Sequence, residues 1–563
     1  MGPGPVTKTR ALLPLLLALG CGGTGPNEEL RPPSEACASH PVTDLAVGEH
    51  SVLDPAPVDG CLRIPAAGAG GAEHLLVLAS TNGTRSPNGN KGPFLLRASN
   101  PLIALLGAAP TAASALRRAD PARAFDRTLR RLEAELAADP DRHPGMRTAP
   151  PAVAAAPPLG DVKSFKVCGS LQCSGFVTVT ATARYIGQRV AVYLDNDVPG
   201  NDPLQDSDLA ELGIAFDTYH YPIDTTAFGR ESDQDANGVV IILMTDAVND
   251  LTPDCANGRV VGYFFGGDLL TGSNSNRGEI FYTLVPAPAI PGKCSAITRT
   301  QAVNNLKPTL IHEFQHMISF NQHVLLRGGS SEDVWLNEAL SHFGEELGGR
   351  LIPDAECTAD GFASCRAQYN GGNLLDAYDY LRDPGAEYMV FPNAQQGSLA
   401  ERGAVWLFLR WSLDQFAADT VLATALTRSL VQTSQTGVNN LSSATGGSFA
   451  LMVPQWLLAV YLDDGAELPA EPTGRLRYKS WGLRAIWTNP QNAPLFPAGF
   501  PLKPPSLSGS FSRSDTLRAG SGHHFLIVQG AGGAAVDLQV RKNPAGAALD
   551  AVLQARFGLV RIR

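Results

Sequence analysis

The sequence predicts an α+β protein, and three observations carry that reading. Short apolar runs split by turn signals occupy residues 42–97. Strand-like runs fill much of residues 176–285 and return after Ser506, and between them, from about Pro308 to Leu462, the apolar spacing becomes helical. The chain has 563 residues, with 57 Gly, 42 Pro and only 17% charged residues, so several domains joined by long loops are expected. An apolar content of 44% excludes wholesale disorder. A net charge of −10 with no long basic run leaves no electrostatic footprint for nucleic acid.

The first residues carry an export signal. Lys8 and Arg10 precede an apolar run at 11–20 that is too short to span a bilayer. Ala18-Leu19-Gly20-Cys21 resembles the lipobox of bacterial lipoproteins, with Ala18 where that box favours Leu. The resemblance implies a signal peptide over 1–21 and a lipid on Cys21, hence a bacterial outer-membrane or cell-surface lipoprotein. An ordinary cut nearby would give a secreted protein instead. Residues 22–41, rich in Gly, Pro and Glu, read as a flexible tether.

Residues 42–145 read as an N-terminal β-domain with a helix, either accessory or a propeptide. In that helix Asp120 can cap, Pro121 suits the first turn, and Phe125, Leu129, Leu132 and Leu136 share one face. The Ala/Pro-rich stretch 146–159 is a linker. The main domain spans 160–500, and 501–563 is a small C-terminal β-domain with strands at 524–528 and 536–540. With Cys21 set aside, eight cysteines are left. In an exported chain they suggest disulfides, and pairing of neighbours (37–61, 168–173, 255–294, 357–365) keeps each bridge local.

The chemistry-bearing segment is Thr309-Leu310-Ile311-His312-Glu313-Phe314-Gln315-His316, which contains HExxH. Residues i and i+4 share a helix face, so His312 and His316 can present two imidazoles to one metal, with Glu313 beside them as a base. Pro308 suits the first turn of that helix. A third ligand must come from elsewhere. His323 lies one residue off the third position of the extended HExxHxxGxxH pattern, whose Gly position is here Ser319. Glu338 follows His316 by 22 residues, on a helix read at 332–347 and stopped by Gly348-Gly349. Glu338, His342 and Glu345 form a polar stripe on that otherwise apolar helix, and a carboxylate placed there needs a partner that a metal would supply.

The segment Trp335-Leu336-Asn337-Glu338-Ala339-Leu340-Ser341-His342 resembles the Glu-ligand segment, NExxSD, of the gluzincins, the thermolysin-like zinc peptidases. His342 stands where their Asp supports a metal-bound His. Together with His312-Glu313-Phe314-Gln315-His316 the pattern is similar to the hyicolysin family, as are 228–238, 262–265, 279–282 and 402–410, so the resemblance covers about residues 160–460.

It implies a zincin-type catalytic core, a mixed β-sheet subdomain plus a helical subdomain, flanked by small β-sandwich-like domains. It also implies one catalytic Zn2+ on His312, His316 and Glu338, with Glu313 as general base. Oxyanion stabilisation would come from a Tyr or His, for which His342, Tyr369, Tyr378, Tyr380 and Tyr388 are candidates. The implied activity is that of an exported zinc metalloendopeptidase whose partner is an extended polypeptide substrate, and the run 279–285 is the expected substrate-pairing edge strand. The alternative is a catalytically inactive surface-binding lipoprotein or adhesin on the same scaffold. A complete HExxH…Glu set argues against it.

A second metal is considered at Asp233-Gln234-Asp235-Ala236-Asn237-Gly238, whose DxDxNG pattern resembles the start of a Ca2+ loop. Met244 stands where the closing Glu belongs, which excludes a full EF-hand and leaves a lone Ca2+ site or an acidic turn.

Overall fold

The computed structural model describes residues 31–99, 121–143, 155–198, 202–255, 258–393, 397–465, 475–507 and 511–563. The expected signal peptide, Cys21, the first part of the tether, Asp120 and most of the linker lie outside the described residues. In chain order the first strands are β1 (His50–Leu53), β2 (Cys61–Ile64), β3 (Ala72–Ser80) and β4 (Lys91–Ser99). Six more follow in the middle of the chain: β5 (Val162–Cys168), β6 (Phe176–Ile186), β7 (Val190–Asp195), β8 (Val240–Met244), β9 (Gly262–Phe264) and β10 (Ile280–Thr283). The last are β11 (Ser506–Leu507), β12 (Phe511–Arg518), β13 (Gly522–Gln529), β14 (Val536–Arg541) and β15 (Ala555–Arg561).

The two ends of the chain share their sheets. One sheet runs β1-β15-β3-β13-β11 and the other β12-β4-β14-β2. Leu76 of β3 lies opposite Phe525 and Leu559, and Leu96 of β4 opposite Val540. The expectation of two separate β-domains gives way to one sandwich. Its core combines Leu62, Leu76, Leu78, Phe94 and Leu96 from the N-terminal half with Phe525, Ile527, Leu538 and Phe557 from the C-terminal half. Strands of the two halves are interleaved, and no two of β1 to β4 are neighbours in either sheet.

The near-continuous apolar run of β3 has a further cause. Leu76 and Leu78 face the sandwich core, while Leu75, Val77 and Ala79 belong to the large core shared with the helices. The described end of the expected tether is anchored as well. Pro33 and Cys37 are buried, and Cys37 is disulfide-bonded to Cys61. The other bridges are Cys168–Cys173, Cys255–Cys294 and Cys357–Cys365, so all four neighbour pairings are present.

The central sheet has the order β5-β6-β7-β8-β10-β9. β7, β8 and β10 are mutually parallel, whereas β9 runs antiparallel to β10 and forms one edge. This corrects the edge-strand expectation: the run containing Ile280, Phe281 and Tyr282 is interior and buried throughout, because its apolar residues need cover on both faces. The edge is β9.

The helices that position the site are α1 (Pro121–Ala137), α2 (Arg299–Phe320), α3 (Val334–Leu351), α4 (Cys365–Arg382), α5 (Leu399–Phe416) and α6 (Phe449–Leu462). Pro308 lies inside α2 rather than at its start. The helix begins at a capping box in which Thr298 and Gln301 satisfy each other's backbone N–H. Pro308 leaves the Asn304 carbonyl without its helical donor, and the Gln368 amide of α4 donates to it at 3.3 Å. Gly348 and Gly349 lie within α3 and do not stop it. A Cβ on either would meet Tyr369 at 2.8 Å or Asn370 at 2.3 Å, so the pair lets α4 approach. No single described helix is long and apolar enough to cross a membrane.

Candidate metal centre

His312 and His316 stand one turn apart on α2, with their Nε2 atoms 3.2 Å from each other. Glu338 enters from α3. Its Oε2 lies 3.6 Å from His312 Nε2 and its Oε1 lies 3.7 Å from His316 Nε2. Ligand atoms about 2.0–2.2 Å from a tetrahedral zinc lie about 3.3–3.6 Å from one another. The three separations bracket that spacing. All three residues are buried, and neither Glu338 oxygen accepts a hydrogen bond among the described residues. A buried carboxylate left so is costly unless charge compensates it. Arg402 of α5 supplies part of that charge, with Nη1 at 3.2 Å from Oε2. The donor set, its spacing and a buried carboxylate without a hydrogen-bond donor fit a zinc ion.

The electrostatics agree. Burial works to raise the Glu338 carboxyl, but Arg402, His312 and His316 hold it well below the usual carboxylate range. Burial works to lower His312, yet Glu338 and Glu345 push it up to about 10. Burial holds His316 well below its ordinary value, so the pair takes up one proton, on His312, which a divalent cation would displace.

The imidazoles are oriented from behind. His312 Nδ1 lies 2.6 Å from Glu345 Oε1, which turns Nε2 toward Glu338. Ser341 Oγ lies 3.1 Å from His316 Nδ1 and donates to Gln315 at 2.5 Å. His342 does not support His312; Glu345, one turn further along α3, takes that place. His342 Nδ1 is itself 3.3 Å from Glu345. His312, His342 and Glu345 also cluster tightly. A 2.6 Å approach is a hydrogen bond, shorter than two ligands of one zinc allow.

Glu313 sits beside the cluster, and its Oε2 accepts from the backbone N–H of Phe264, the last residue of β9, at 3.0 Å. Burial pushes its carboxyl up to about 7 against the pull of His312 and Arg130. Edge strand, HExxH helix and Glu-bearing helix thus converge on one point. A cavity of about 630 Å3 opens beside His316, lined by Arg130, Glu133, Val334 and Asn337 among others.

The other expected residues lie elsewhere. His323 is buried on a π-helical turn, 3.8 Å from Glu332, and is no part of the cluster. Tyr369 hydroxyl pairs with His220 at 2.8 Å, Tyr378 accepts from the Ala498 N–H, Tyr380 stacks on Trp456, and Tyr388 packs against Gly89. Asp233, Asp235 and Glu279 do come together. Their carboxylates are met by the turn itself: Glu279 accepts from Ser232 and Gln234, Asp235 from Asn237, and Asp233 from Gly238. Sequence reasoning missed the Phe264 N–H and named Arg402 only as the start of a similar segment. The roles of both depend on contacts between distant segments that no local pattern shows.

No family model matches this chain. Over 190 residues it is 28% identical to the neutral metalloprotease ShpI of Staphylococcus hyicus. The similarity is to a metalloprotease. The aligned stretch covers 34% of this chain and 40% of the length of that relative. Among solved structures, a substrate-bound mutant of the M1 zinc metallopeptidase of Deinococcus radiodurans shares 12% identity over 55% of this chain and 63% of its own. Its TM-score is 0.28, a likeness too loose to superimpose one fold on the other.

Proposed function

We propose that the chain is an exported zinc-dependent endopeptidase that hydrolyses peptide bonds of extracellular proteins. The observation that carries this reading is the buried cluster of His312, His316 and Glu338 with Glu313 held beside it by the edge strand. His312, His316 and Glu338 would hold the zinc. When bound, zinc supplies Lewis acidity to a carbonyl oxygen and to water. Glu313 accepts the proton of the attacking water and returns it to the leaving amine. The Phe264 N–H fixes one of its oxygens and leaves the other for that proton.

Glu345 holds His312 in the tautomer that presents Nε2, and Ser341 steadies His316. β9, the last strand of its sheet, is the one on which an extended peptide would pair. The relative named as a neutral metalloprotease supports the reading, and four disulfides fit an exported protein. The peptidase unit would span 160–500, with the sandwich as its accessory domain.

The test is metal content together with casein cleavage. One zinc per chain is expected, with cleavage abolished by a chelator and restored by zinc. Cleavage that survives complete metal removal would contradict the proposal.

A further inference from the structure

The helix α1 lies against β9, the edge strand beside the cluster. It is outside the span that resembles peptidases, yet its apolar face is built into the core under the central sheet. Phe125 and Leu129 are buried, and the Phe125 ring meets Tyr263 of β9 edge-on at 4.8 Å. Its polar groups take up the exposed hydrogen-bonding positions around the edge strand. Arg130 Nη2 donates to the Phe264 carbonyl at 2.8 Å. Glu133 Oε1 accepts from the Gly266 N–H at 2.6 Å. Arg130 and Glu133 also pair with each other at 2.8 Å, so the two hold one geometry. One turn earlier, Asp126 is bonded to Arg402, the same guanidinium that pairs with Glu338.

An extended peptide on the edge strand would need those groups. Its N–H would donate to Phe264 O and its C=O would accept from Gly266 N, as in any added strand. A carbonyl or carboxylate beside the metal ligands would turn to Arg402. α1 satisfies all three with side chains: a donor on the carbonyl, an acceptor on the N–H and a carboxylate on the guanidinium. Two occupants cannot use them together.

We infer that α1 is an intramolecular inhibitor that imitates substrate at Phe264, Gly266 and Arg402, and that a peptide binds only when α1 leaves. This rests on the peptidase reading of the cluster it covers. The chain then alternates between a closed form and an open one, and its apparent affinity for peptide is reduced by the fraction that is open. Stable activation requires α1 to be released from Phe264, Gly266 and Arg402, which also withdraws Phe125 and Leu129 from the core beneath the sheet.

The test compares the full chain with its Asp126→Ala/Arg130→Ala form, each also carrying Glu313→Gln for binding measurements. The probe is a fluorescent extended peptide cut from a casein sequence. Binding about tenfold tighter or more is expected in the double variant, with a matching rise in hydrolysis when Glu313 is intact. Binding that is unchanged or weaker in the folded, zinc-loaded double variant would overturn the inference. Tighter binding without hydrolysis in any form would instead leave α1 an inhibitor of binding and refute the peptidase reading. Should the double variant not fold, hydrogen exchange on the unaltered chain decides. Saturating peptide is expected to strip protection from the α1 amides, and protection that persists with peptide bound overturns the inference.

Discussion

Glu345 Oε1 lies 2.6 Å from His312 Nδ1, a contact between the second and third helices of the site that sets which nitrogen faces Glu338. Glu345→Ala should therefore weaken zinc binding about 10–100-fold, as loss of a carboxylate behind a ligating His does. Competition with a chromophoric chelator measures it, and circular dichroism should show the fold unchanged.

The sequence carried the local half of this site. HExxH spacing and the Glu338 stripe are helix periodicities, and both motifs lie on helices as expected, although α2 begins nine residues before Pro308 and α3 runs past Gly348 and Gly349. The support was less legible. His342 stands where a family pattern suggested a partner, but the side chain that reaches His312 comes from three residues further on. What decides between them is how α2 and α3 cross.

A second prediction concerns that packing. Gly348→Ala would place a Cβ 2.8 Å from the Tyr369 ring, whose hydroxyl is tied to His220 and cannot swing freely. Overpacking of this kind costs about 1–3 kcal/mol. Denaturant unfolding should show a lower midpoint, while the zinc stoichiometry stays the same.

The acid response follows from buried histidines. Burial lowers His524 of β13 from 6.5 to about 4, where its Nε2 donates to the Leu457 carbonyl at 2.8 Å. The folded state resists protonation that the unfolded chain accepts. Its stabilising effect is thus complete above pH 6.5 and is lost as pH falls through 4. The full effect is at most about 3 kcal/mol. His524→Gln keeps a donor and removes the titration, so its stability should fall less than that of the parent between pH 6.5 and 4.

The long-range architecture was the least legible part. Each end of the chain reads locally as strands, and nothing in a strand's alternation says that its partner lies more than 400 residues away, as Leu76 and Phe525 do. The edge strand was misplaced for a related reason. β10 has the stronger apolar run because it is interior, and the three-residue β9 is short because it is an edge. The joining of both termini in one sandwich predicts that deleting residues 511–563 exposes β3 and β4 together. The truncated chain should aggregate or be lost to proteolysis, with no soluble N-terminal β-domain surviving.

The most direct measurement on the central claim is the Glu313→Gln variant, assayed for zinc and for peptide hydrolysis on the same sample. The account predicts about one zinc per chain, since the ligands are untouched, and hydrolysis reduced by at least about 100-fold. Full hydrolysis with zinc in place, or loss of zinc from this variant, would contradict the assignment of His312, His316 and Glu338 as ligands with Glu313 as base.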